Sequence, residues 1–195
     1  MLPRELLAAA FHLLEFLGFL IAIGSLVVLR LSRLTPRLAW AEPRLRNVVA
    51  GTLAGVLGLV VAGPPKSLLI GAVHLLSAGM WAGGILVMAT LRPPGGWTGR
   101  EGRELIERFA RIALIAFGVT ALTRVIQATD RLRDVSDLWT TAYGAVLSLK
   151  VAGFFAMSAF SLAWRRGVPA ARFDAAAGVL VVALTAVLAA FPAQA

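Results

Sequence analysis

A run of 25 residues without a formal charge, Ser67 to Leu91, constrains the chain more than any other stretch. At ~1.5 Å per helical residue it is long enough to cross a hydrocarbon core of ~30 Å. Inside it lies HLLSAGMWAGG, residues 74–84. A histidine is costly in hydrocarbon and normally faces a bundle interior, where it hydrogen-bonds or binds something. His74 and Trp81, two helical turns apart, share a face. Gly79 and Gly83 form a small-xxx-small step that lets a neighbouring backbone come close. The segment is expected to be an interior membrane helix.

The rest of the chain has the same character. Of 195 residues, 59% are hydrophobic and 15% charged, and the mean hydropathy is +0.83. Such a composition leaves no room for a separate soluble domain and predicts an all-α fold: a polytopic transmembrane helical bundle occupying residues 1–195 as one domain. The formal charge of +9 would point to nucleic acid in a soluble protein. Here the arginines stand between apolar spans, where the positive-inside rule accounts for them, and no nucleic-acid partner is expected. With no cysteine, disulfides, thiolate metal sites and cysteine nucleophiles are excluded, so any soft-metal chemistry falls to His and Met.

Six spans are expected, at about 5–29, 47–63, 67–91, 109–129, 142–164 and 172–191. The first is too long for a signal-peptide core and lacks a small-residue cleavage site before Arg30. Arg30 to Arg46 reads as an arginine-rich loop broken by Pro36 and Pro43, and Gly63-Pro64-Pro65-Lys66 as a tight turn. Glu104 and Arg108, at i and i+4, place the start of the fourth helix outside the hydrocarbon. The first, third and fifth loops carry thirteen Lys and Arg, the opposite side four, so both termini are expected on the outer side of a bacterial inner membrane.

In that orientation the polar residues of the spans fall at similar depth. His12 and His74 each lie seven residues after their helix enters from outside, ~10 Å down. Glu15 is one turn below His12; Lys150 reaches the same level in the fifth span, and Arg124 and Gln127 end the fourth. Each has a simple structural use. A lone histidine can bond a neighbouring carbonyl, Arg124 and Lys150 can snorkel to the surface, and Met80, Met88 and Met157 pack. The coincidence of depth across helices is what singles these residues out.

HLLSAGMWAGG at 74–84, RFARIALIAFGVTALTR at 108–124, TTAYGAVLSLKVAGFFAMSAF at 140–160 and the closing AAAGVLVVALTAVLAAFP together resemble the copper resistance protein D (CopD) domain family of bacterial inner membranes, over about residues 67–192. The resemblance implies a role in moving copper across the membrane or in copper resistance, with other membrane subunits or a periplasmic copper-binding protein as partners. On this reading His12 and His74 bind copper below the outer surface, with Glu15 as a third ligand or a partner to one of them. The histidine followed by Trp-Gly, with a lysine on a later helix, is also similar to small membrane protoporphyrinogen oxidases that bind haem b. That resemblance implies that His74 and Lys150 are haem-associated; the two imidazoles of His12 and His74 could be axial ligands, with Arg124 or Lys150 pairing the propionates. Trp81 and Gln127 are counted with Arg124 and Lys150 as candidate cofactor-binding residues. A third reading is an accessory subunit whose buried polar groups satisfy one another. No serine or cysteine nucleophile motif supports a hydrolase.

Overall fold

The computed structural model of the chain describes residues 3–43, 45–62, 68–129, 142–166 and 171–190, though not every side chain within them. The described residues are helical apart from short turns and contain no strand, as expected of an all-α chain. Among the described residues six α-helices follow one another: α1 (Pro3–Leu34), α2 (Leu45–Ala62), α3, α4 (Arg100–Thr129), α5 (Ala142–Arg165) and α6 (Ala171–Ala190). The third is continuous but composite: α-helical over Leu68–Ala78, a π-helical turn over Gly79–Gly83, and α-helical again over Gly84–Ala89. Among the described residues two stretches, Leu6–Leu34 and Leu69–Ala89, are long and apolar enough to cross a membrane. Shorter apolar stretches occupy Arg46–Val61, Gly144–Phe160 and Ala176–Val187. The turn expected at 63–66 and the loop expected at 130–141 lie outside the described residues.

Two features depart from the expected outline. The first helix runs on through Arg30 and Arg33, since arginine sustains a helix, and stops only before Pro36, whose ring forces Thr35 into extended backbone (φ −135°, ψ 104°). The expected loop beyond it is ordered as a 3₁₀ helix, Pro36–Ala41, that packs on α1 and α4 and buries Leu38 and Ala41. Between α3 and α4, Pro93 to Gly99 turns tightly. Gly95 and Gly96 take φ of 73° and 75°, a left-handed backbone that glycine reaches without penalty.

α1 is the axis of the bundle, packed along α2, α3 and α6. Its contact with α2 is backbone on backbone. A methyl on Gly18 would lie on the Gly51 and Gly55 main chain, and one on Gly58 would lie on Glu15. The pairings 15 with 58, 18 with 55 and 22 with 51 make the two helices antiparallel. α1 meets α3 through Leu20, Ile23 and Gly24 against Gly79, Gly83 and Gly84. Ala62, at the end of α2, is level with about residue 11 of α1, and the five-residue link 63–67 spans roughly 20 Å at most. An antiparallel α3 would have to begin roughly 40 Å along α1 from that point, so α3 runs parallel to α1.

The apolar core gathers where α1 and α3 end and α4 begins. Val28, Leu38, Met88 and Leu105 are almost fully buried there, and the Phe109 ring sits on Gly84, where a methyl would displace it. The other half of the bundle is different in kind. Its buried residues include Glu15, Ser77, Thr120 and Thr123. Meanwhile many of the largest apolar side chains point outward, among them Leu53, Val60, Leu69, Ile115 and Phe155, each at least 66% exposed.

Candidate functional site: a histidine-anchored polar ladder

The face shared by His74, Ser77 and Trp81 meets α4, and there it finds two threonines one turn apart. His74 Nδ1 lies 2.9 Å from Thr123 Oγ1. Trp81 Nε1 donates to Thr120 Oγ1 at 3.0 Å, and Thr120 Oγ1 lies 2.9 Å from Ser77 Oγ. Ser77 in turn donates to the His74 carbonyl at 3.0 Å. Three side chains of α3 are thus tied to two of α4. Gly79 and Gly83 take the opposite side of the helix, towards α1.

Thr123 Oγ1 also lies 2.9 and 3.0 Å from the Val119 and Thr120 carbonyls, so it links the His74 ring to the preceding turn of α4. The ring nitrogen engaged there is Nδ1. His12 is held through the same atom, with Nδ1 3.1 Å from Glu15 Oε2 and Nε2 turned away from Glu15. The His12 ring stacks on Phe16, with centroids 5.8 Å apart and planes 15° from parallel, which fixes its plane as well.

Both histidines occupy the same half of the bundle. His12 precedes Leu20 by eight residues and His74 precedes Gly83 by nine, so on parallel helices each is ~13 Å before the α1–α3 crossing. They engage different helices, however: His12 pairs within α1, while His74 is committed to α4. Among the described residues no three His, Asp or Glu side chains stand close enough to share a metal ion, so His12, Glu15 and His74 do not form a ready three-ligand group.

Trp81 is 4% exposed and anchors an aromatic cluster. Phe117 meets it edge-on at 5.2 Å and Phe154 at 5.5 Å, while the two phenyl rings stack at 4.3 Å. Trp81 therefore fastens α3 to both α4 and α5. Arg124 follows Thr123 directly and is half-buried. The side chains of Gln127 and Lys150 lie outside the described residues.

The hydroxyls of Ser77, Thr120 and Thr123 are the members of the site that inspection of the sequence passed over. Their signal was present. Ser77 lies on the His74–Trp81 face, and Thr120 and Thr123 stand three apart in GVTALTR, the same one-turn step. No protein-family profile, curated protein or solved structure matches the chain.

Proposed function

We propose that this chain is a multi-pass membrane protein with six spans and outward termini that handles copper through imidazole ligands in its outer half. The membrane part draws on the inverted distribution of side chains: large aliphatic groups line the outside, while a carboxylate and several hydroxyls are enclosed. The arginine-bearing ends of α1, α3 and α4, together with the 3₁₀ helix, would then face the cytoplasm. The copper part draws on one observation above all. Both histidines are oriented through Nδ1, as metal-ligating histidines generally are, and Nε2 is proposed as the coordinating atom of each. Imidazole suits copper, and the sequence offers no thiolate to trap it. The resemblance of residues 67–192 to the CopD family agrees with that choice.

The test is metal analysis of the purified protein with visible spectroscopy. About one copper per chain, lost in both His12→Ala and His74→Ala while the helical circular dichroism persists, supports the proposal. Copper retained in both variants refutes it, and a Soret band with sharp reduced α and β bands would replace copper by haem b.

A further inference from the structure

At the end of the molecule opposite the histidines, an open cleft of about 420 Å³ lies between the 3₁₀ helix and the first three turns of α4. Five arginines line it against two glutamates, a formal charge of +3. Arg108 is held by Glu104, with guanidinium nitrogens 3.0 and 3.2 Å from the same carboxylate oxygen. Arg37, Arg100, Arg103 and Arg111 make no ion pair with a described residue. A cluster of exposed guanidinium groups around a concavity is the usual receptor for a phosphate, which accepts several of their hydrogen bonds at once.

What distinguishes a lipid from a free phosphate is the surface that leads away from the cleft. Continuing up α4 from Arg111 at steps of three and four, the same face carries Leu114, Ile115, Gly118 and Leu122. The three aliphatic side chains are 69%, 73% and 61% exposed. Gly118 between them has nothing within 4 Å of where a β-carbon would stand, so it leaves a shallow trough in the helix face. From Arg111 to Leu122 this apolar track is ~17 Å long, about half of a ~30 Å hydrocarbon core. One face of α4 is thus cationic for three turns and aliphatic for the next three, the profile of a molecule with an anionic head and one leaflet's length of tail.

We propose that this cleft and track form a binding site for an anionic phospholipid, its phosphodiester held by Arg37, Arg103 and Arg111 and an acyl chain lying over Gly118. The assignment rests on the multi-pass reading above but not on copper. The probe is 1-palmitoyl-2-oleoyl-phosphatidylglycerol, titrated against phosphatidylcholine with the same acyl chains. The full chain is used in detergent with a chelator present, and bound lipid is counted by native mass spectrometry.

Phosphatidylglycerol is expected to bind at least tenfold tighter. The double variant Arg103→Gln/Arg111→Gln should lose about thirtyfold, from two charges near a phosphate surface. Arg46→Gln, an exposed charge at the start of α2 outside the cleft, should leave binding unchanged. Equal affinity for the two lipids, or an equal loss in Arg46→Gln, overturns the site. Displacement of the lipid by an equal concentration of inorganic phosphate overturns it in favour of a free anion. Extraction with alkaline carbonate separates the two readings. A chain released from membranes refutes the multi-pass reading, whereas one that stays and does not discriminate the lipids refutes only the lipid site.

Discussion

Thr120 is the hub of the ladder between α3 and α4, and Thr120→Val removes its hydroxyl at nearly constant volume. Two cross-helix contacts go with it, the Trp81 indole at 3.0 Å and Ser77 at 2.9 Å. In a bilayer each interhelical bond contributes ~0.6 kcal/mol on average, up to ~1.7, because the separated helices find other partners. The indole N–H, on a side chain only 4% exposed, is also left without its acceptor, and a buried unsatisfied donor costs ~1–3 kcal/mol. Together these give an expected loss of ~2–3 kcal/mol. Equilibrium unfolding in mixed micelles, with the anionic detergent as denaturant and helical circular dichroism as signal, measures it. The reference is Thr185→Val on α6, whose hydroxyl bonds only its own helix, at the Val181 carbonyl (2.7 Å). A double-mutant cycle with Trp81→Phe should return a coupling of at least ~0.6 kcal/mol. If Thr120→Val costs no more than Thr185→Val and the coupling is zero, the ladder does not join the helices and the positioning assigned to His74 falls with it.

Three further outcomes follow from the packing and the orientation. Gly83→Val should prevent the α1–α3 approach, since even a methyl would fall on the Leu20 carbonyl; the yield of folded protein should drop severely, while Gly118→Ala, in open space on an exposed helix, should be neutral or slightly stabilising by about 1 kcal/mol. Because the chain has no cysteine, single substitutions report topology cleanly. Pro65→Cys should react with a membrane-impermeant maleimide in intact spheroplasts and Gly96→Cys only after lysis, and the reverse pattern would invert the orientation. Replacing His12 alone should leave the His74–Thr123 pair in place, because His12 bonds within α1, but should lower the melting temperature, because the buried Glu15 carboxyl loses its partner.

Much of the fold could be read from the chain because its punctuation is strong. Apolar runs flanked by arginines and prolines locate the six α-helices of the described residues, and the Glu104–Arg108 step extends the fourth into its charged turns, where the pair closes at 3.0 Å. What could not be read is rotation about each helix axis. His12 and Glu15 share a helix, so their spacing alone brings them together. His74 and Trp81 share a face for the same reason, but the identity of the helix opposite that face depends on packing. The glycines decide it: Gly79 and Gly83 draw α1 to one side of α3, which leaves the His74 side to α4. Depth along the bundle therefore places the two histidines in the same half without giving their partners. Ser77, Thr120 and Thr123 were overlooked because a hydroxyl in an apolar helix usually bonds the preceding turn, as all three of these also do.

The π-helical turn at Gly79–Gly83 bears on how this chain can vary. A π turn carries one residue more than the α-helical turn it replaces. Deleting one residue between 79 and 83 would let the helix close into uninterrupted α form with its two flanks still close to their present register. His74 and Ser77 would go on facing the threonines while Gly84, Ile85 and Met88 kept their places in the arginine-side core. The same loss from the α-helical stretch 74–78 would instead swing everything before it by ~100°. The π turn is thus the stretch of this helix in which a change of length by one residue can be absorbed without turning the histidine away from its partners.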